Sequence, residues 1–205
     1  MQIGGDLEHQ VQHIRCGRHA SIIPVIHIER SQDYALIRGI MTCPRVYSHL
    51  TDDASPAAED WQPIESDGIY YLVAWDGNSL LGLWMLHPHN GVCWEIHTAL
   101  LPDAWGDRAR RAAAVMLKWV WVNTPCRRIV TNVPANNRLA YHFAVQAGME
   151  VYGTNEASFL KGGRLLSQIC LGISRPRDLP LFEAAEVSIP GDPSPVAAFS
   201  GPKEG

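Results

Sequence analysis

The stretch Val92-Cys93-Trp94-Glu95-Ile96-His97-Thr98-Ala99-Leu100-Leu101-Pro102-Asp103-Ala104-Trp105-Gly106-Asp107-Arg108-Ala109-Arg110-Arg111 changes its periodicity half-way along. Val92–Leu101 reads as a strand, because Trp94 and Ile96 alternate with Cys93, Glu95 and His97. One face is therefore apolar and the other carries titratable groups. Pro102 then opens a helix of about twenty residues, with Ala109, Ala112, Ala113, Met116, Trp119 and Val120 on one stripe until Asn123-Thr124-Pro125 ends it.

Upstream, Ile69–Trp75 and Ser79–Leu86 are apolar runs joined by Asp76-Gly77-Asn78, which predicts an antiparallel hairpin. Residues 51–68 form a polar loop rich in Asp and Pro. Before it, Ser31 is placed to cap a helix whose apolar positions Ala35, Leu36, Ile37, Ile40 and Met41 run until Pro44 stops them. Ser21–Ile28 reads as an edge strand interrupted by Pro24, after a polar leader at 1–20.

Downstream, Arg128–Val133 is a short β-branched strand, and Ala135–Ala147 is a helix closed by Gly148. Met149–Gly153 and Arg164–Ile173 complete the sheet, the second following a Lys161-Gly162-Gly163 turn. From Pro176 onward six prolines and few large apolar groups mark an extended tail outside the core. The expected organisation is one domain over 1–175 and a Pro-rich tail over 176–205.

The 205 residues are 46% hydrophobic and 19% charged, the profile of a soluble globular chain rather than a disordered one. Seventeen Lys and Arg against 21 Asp and Glu give a net charge of −4, so no basic field favours nucleic acid. No apolar run is long enough for a membrane span, and no signal-peptide pattern opens the chain. Cys16, Cys43, Cys93, Cys126 and Cys170 are odd in number and widely spaced, which suits free thiols in a cytosol. A cytoplasmic protein that binds neither membrane nor nucleic acid is expected.

The order of elements is α+β around a mixed, mostly antiparallel sheet of about six to seven strands flanked by helices. Within it, Leu100-Leu101-Pro102-Asp103-Ala104-Trp105-Gly106 before a long helix, then Ile129-Val130-Thr131-Asn132-Val133, then Asn137, Ala140 and Gly148-Met149, resemble the GNAT acyltransferases. The resemblance covers roughly residues 69–155. More narrowly, Trp94-Glu95-Ile96-His97-Thr98, Trp119 and Asn132-Val133-Pro134 with Asn137-Arg138 look like GNAT-like proteins encoded by tailed bacteriophages.

The resemblance implies an acetyl-CoA or other acyl-CoA site and transfer to an amine acceptor by direct attack in a ternary complex. In the family, a gap between two strands admits the pantetheine arm and backbone amides at the long helix hold the pyrophosphate. Unpaired N–H groups and the positive end of the helix dipole explain why an anion sits there. By resemblance, Ala99 and Leu100 lie beside the thioester, and Trp105, Gly106, Asp107, Arg108, Ala109, Arg110 and Arg111 form the phosphate loop. Asn137 lies where the family contacts the cofactor arm, and it is equally a good N-cap for the helix that follows.

For the chemistry, Glu95 is the candidate base and His97, two residues on and on the same face, a proton relay. An ordinary pairing of the two, or with an arginine across the sheet, is the competing reading. Two positions depart from the family pattern. Arg108 and Arg110 stand where it carries glycine or alanine, and either block the amides or swing outward to supply charge-assisted bonds. Ala144 stands where a tyrosine acid is usual, and Tyr141 and His142 lie off that face of the helix.

His87, His89, Cys93 and His97 are metal-ligand types. Spread along a break and an extended strand at roughly 3.3 Å per residue, they span more than about 20 Å, so no metal site is expected. The alternative to catalysis is a GNAT-shaped phage protein that acts in virion assembly or binds a host protein, with the 176–205 tail as its docking segment.

Overall fold

Residues 25–179, which the computed structural model describes, form a seven-stranded sheet in the order β1-β2-β3-β4-β5-β7-β6. The strands are β1 Ile26–Arg30, β2 Tyr70–Asp76, β3 Ser79–Pro88, β4 Cys93–Leu100, β5 Arg128–Pro134, β6 Glu150–Lys161 and β7 Arg164–Ser174. The helices are α1 Tyr34–Met41, α2 Pro44–Leu50, α3 Asp107–Asn123 and α4 Arg138–Gln146. Every neighbouring pair is antiparallel except β4 and β5. The mixed α+β reading therefore holds. The expected leader, the first part of the Ser21–Ile28 strand and all but 176–179 of the tail lie outside the described residues.

β2 is apolar on both faces because the sheet is covered on both. Tyr71 and Val73, with Leu83 of β3 and Ala99 of β4, pack on Ile37, Ile40, Met41 and Val46 from α1 and α2. Leu72 and Ala74, with Leu81, Trp84, Trp94, Ile96 and Leu100, pack on the Ala109, Ala112, Ala113, Met116 and Val120 stripe of α3. At 25 cal/mol per Å², burying one such Leu or Val side chain is worth about 1.5–3 kcal/mol, so these two layers dominate the stability.

Several boundaries differ from the sequence reading, each for a local reason. Asp33, not Ser31, caps α1, its Oδ1 accepting the Leu36 N–H at 3.0 Å, while Ser31 Oγ accepts the Asp33 N–H. Pro44 does not end helical structure but opens α2, since a proline at the first helical position forfeits no hydrogen bond. Pro102 starts only a 3-10 turn to Ala104; Trp105 and Gly106 intervene, and α3 proper begins at Asp107 and runs 17 residues. α4 begins at Arg138 rather than Ala135, because β5 continues through Pro134. β6 is far longer than Met149–Gly153: it reaches Lys161 through an irregular stretch between Asn155 and Phe159, with Ala157 at φ 48°. That break in alternation hides the strand from a period-two reading.

One glycine sets the geometry near the site. A Cβ on Gly82 would lie 2.3 Å from the Ala99 carbonyl oxygen and 2.7 Å from Leu100 Cα, so only glycine lets β3 approach the end of β4.

Candidate active site

β4 and β5 pair over three residues only, Cys93 with Arg128, Trp94 with Ile129 and Glu95 with Val130. Beyond that point Ile96–Leu100 pair with β3 alone, and Thr131–Pro134 with β7 alone. The strands part immediately after Glu95, leaving the inward N–H and C=O groups of both without a neighbouring strand. A cavity of about 460 Å³ fills the opening, and its walls include Glu95, His97, Leu100, Thr131, Asn132 and Asn137. Trp105, Gly106 and Ala109 line it at the start of α3.

Glu95 is held from both sides. Asn132 Nδ2 donates to Oε1 at 3.2 Å, and His89 Nε2 lies 2.8 Å from Oε2. The carboxylate is 15% exposed. Burial pushes its pKa up, but the hydrogen bonds from His89 and Asn132 and the fields of His97 and His87 outweigh burial and hold it below the usual carboxylate value. His97 shares the face and lines the cavity; its Nε2 lies 3.9 Å from Glu95 Oε1. Burial lowers the His97 pKa, against the opposing pull of Glu95 and with further lowering from His87 and His89. The pair is thus an ionised carboxylate beside a neutral imidazole at pH 7.

The sequence reading missed His87, His89 and Asn132 as members of this group, and its span along the chain does not hold: two of the four residues it weighed, His87 and His89, meet on Glu95. β3 does not end before His87 but continues through Pro88, and register places His87 opposite Glu95. His87 Nε2 lies 3.3 Å from His97 Nε2, and the donor atoms of His87, His89 and Glu95 all fall within 4.8 Å of one another. A span measured along one extended chain says nothing once the chain folds back on itself as a hairpin. Cys93 is not part of that group.

At the other end of the cavity, Gly106 precedes α3 at φ 88°, with nothing within 4 Å of a Cβ and no side chain capping the first turn. The N–H groups of this turn are left without a side-chain cap, as an anion seated at a helix N-terminus requires. The arginines do not cover them. Arg108 Nε donates to Asp76 Oδ2 at 3.0 Å, Arg111 lies 3.6 Å from the same oxygen, and Arg110 pairs with Asp107. Of the remaining candidates, Ala99 is fully buried against α1 and α2 and its side chain does not reach the cavity. Leu100 is buried, and its carbonyl accepts the Trp105 indole N–H at 3.0 Å. Asn137 does cap α4, its Oδ1 accepting the Ala140 N–H, while its side chain borders the cavity.

Ala144 is buried at the cavity wall, and among the described residues no tyrosine lines it. The opposite wall comes from α2, through Arg45, Val46, His49 and Leu50, with the Arg45 guanidinium 5.1 Å above the Trp105 ring. The sequence reading had no helix here.

Comparison with solved structures places this architecture. Spermidine N-acetyltransferase from Vibrio cholerae, in complex with CoA and spermine, superposes with a TM-score of 0.62 at 18% identity, over 73% of this chain and 95% of that one. The chain has the fold of the GNAT acetyltransferases. Two further GNAT-fold structures agree. Ribosomal-protein-S5-alanine acetyltransferase from Vibrio fischeri gives 0.58 at 16% identity, over 76% and 94% of the two chains. An acetyltransferase of the GNAT family from Streptococcus pneumoniae gives 0.58 at 15% identity, over 74% and 100%. No protein-family model and no curated protein matches the sequence. Among the described residues, no helix is long and apolar enough to cross a membrane.

Proposed function

We propose that this GNAT-fold chain is an acyl-CoA-dependent N-acyltransferase, with acetyl-CoA as the donor and an amine as the acceptor. The observation that carries the reading is the parting of β4 from β5 directly after Glu95, into a cavity that runs to the uncapped turn at Gly106. A thioester arm fits the open strand edges, where its amides can take the hydrogen bonds a strand would make. Its pyrophosphate fits the Gly106–Ala109 amides. That a GNAT-fold neighbour at this likeness was solved with CoA and spermine supports both halves of the reading.

The donor supplies the acyl group; the chain's residues manage the proton. Attack needs a neutral amine, so the ammonium must first lose a proton, which passes to the neutral imidazole of His97 with Glu95 beside it stabilising the imidazolium. The amine nitrogen then forms the bond to the acyl carbon as the C–S bond breaks, and its second proton passes through water to the departing thiolate, so that amide and free thiol are the products. Ala144 offers no proton itself, so this transfer relies on water rather than on a side-chain acid at that position.

Isothermal titration with acetyl-CoA and with free CoA is the first test, followed by assay against spermine and an alanine-terminated peptide. Micromolar binding with acyl transfer to any amine supports the proposal. The absence of Tyr among the described cavity residues and the Asp76 hold on Arg108 favour a second reading, a non-catalytic phage protein that docks on a virion or host partner. Failure to bind CoA, together with a stable complex lost on deleting 176–205, would establish that reading instead.

A further inference from the structure

We propose that His87, His89 and Glu95 form a binding site for a divalent transition metal of the zinc class at the outer end of the β3–β4 hairpin. The site has a positional basis. Register sets His87 opposite Glu95, and the turn that follows is tightly ordered: the His89 N–H donates to the Cys93 carbonyl at 2.9 Å, and Asn90 Oδ1 accepts the N–H groups of Val92 and Cys93. His89 is thereby returned over the same carboxylate.

The distances suit a bound ion. Zinc–nitrogen and zinc–oxygen bonds of about 2.0–2.2 Å in a tetrahedron place the ligand atoms roughly 3.3–3.5 Å apart. Glu95 Oε2 lies 2.8 Å from His89 Nε2 and 3.8 Å from His87 Nε2, bracketing that value, and all three donors lie within 4.8 Å. Side-chain adjustments of up to about 1 Å bring them onto one centre. Asn132 engages Oε1, leaving Oε2 to face the histidines, which is the supporting arrangement metal-binding carboxylates need. His97 Nε2, 3.3 Å from His87 Nε2, borders the site but does not belong to the converging group, so the fourth position is left to water.

The donor set selects the ion. Two imidazoles and one carboxylate suit zinc and its first-row neighbours, whereas calcium and magnesium require oxygen ligands. His89 is 43% exposed, so an ion enters from solvent without opening the core. A metal held there occupies Oε2 of Glu95 and the neighbouring imidazole. It therefore suppresses acyl transfer; this consequence, unlike the binding itself, rests on the function proposed above.

The test uses the untagged full-length chain. Calorimetry with zinc chloride and visible spectroscopy with cobalt(II) are run on the wild type and on His87→Ala and His89→Gln. One ion per chain is expected, with affinity at least about 10-fold weaker in each variant and a cobalt spectrum lacking a thiolate charge-transfer band. Zinc should also raise the melting temperature of the wild type and not of His89→Gln, whose side chain is 43% exposed and whose fold is verified by circular dichroism. No uptake, uptake equal in both variants, or a thiolate band would overturn the site. Acetyl-CoA titration of the zinc-free and zinc-loaded chain separates the two proposals. Zinc uptake without acetyl-CoA binding removes the acyltransferase reading and keeps the metal site, and the converse removes the metal site alone.

Discussion

Arg108 reaches back from the first turn of α3 to Asp76 at the end of β2, its Nε donating to Oδ2 at 3.0 Å, with Arg111 3.6 Å from the same oxygen. The carboxylate is 7% exposed, so two guanidinium groups from the first turns of α3 are committed to one buried acid. Replacing Asp76 by Ala should cost about 1–2 kcal/mol in urea denaturation, reduced from a fully buried pair because Arg108 is 35% exposed. The same change frees both arginines and should tighten CoA binding about three- to tenfold by calorimetry. Unchanged or weaker CoA binding would show that these side chains do not reach the ligand.

Glu95→Gln keeps the Asn132 and His89 contacts in shape while removing the charge that supports His97. Turnover should fall about 100-fold, with the CoA dissociation constant within about twofold of wild type. A variant with undiminished kcat would take Glu95 out of the mechanism.

Both pKa shifts act in the same direction with pH. His97 binds a proton less readily in the folded chain than in the unfolded one, where its ordinary value is 6.5, so stability is complete above that pH and declines as pH falls through the folded value. Glu95 adds a second decline below its ordinary 4.5. Turnover should likewise have an acid limb below 6.5, as the imidazole takes up its proton. Melting temperature and kcat followed from neutral to acid pH should show the first limb in wild type and lose it in His97→Gln. An identical acid slope in the variant would assign the limb to another group.

Gly82→Ala sets a Cβ against the Ala99 carbonyl at a position of φ 127°. The clash is with backbone and cannot be relieved by a rotamer change. A loss of about 3 kcal/mol is expected in denaturant titration. A loss under about 1 kcal/mol would mean β3 can shift away from Leu100 at little cost.

Asp53 clamps the far hairpin, its two oxygens accepting the N–H groups of Gly162 and Gly163 at 2.8 and 2.7 Å, which lowers its pKa from 3.8. Lys161 Nζ closes the same junction on the Thr51 and Ser48 carbonyls. Asp53→Ala should speed hydrogen exchange at both glycine amides and raise the acceptor KM while leaving CoA affinity unchanged. Unaltered exchange at Gly162 and Gly163 would show that the turn holds itself.

What a single chain segment prefers was legible from residues alone. The Gly77-Asn78 turn, the alternation of Trp94 and Ile96 against Glu95 and His97, the alanine stripe of α3 and Gly148 at φ 91° after α4 all report local backbone preference and which face is buried. Those signals were enough for the approximate place of the strands, for three of the four helices and for the motif that resembles the GNAT fold, but not for α2 or the length of β6. They were silent wherever an element's role depended on a distant partner. Pro44 can stop one helix or start the next, and packing of Val46 against the sheet made it a start. Arg108 could serve a phosphate or a carboxylate, and Asp76, 32 positions earlier, took it. His87 and His89 looked like a surface break because their spacing along the chain carries no information about register. Only the pairing of β3 with β4 laid them over Glu95, and only the three-residue pairing of β4 with β5 opened the cavity beside it. Periodicity is set by the torsions of neighbouring residues, whereas register and the choice among polar partners are set by how whole faces pack.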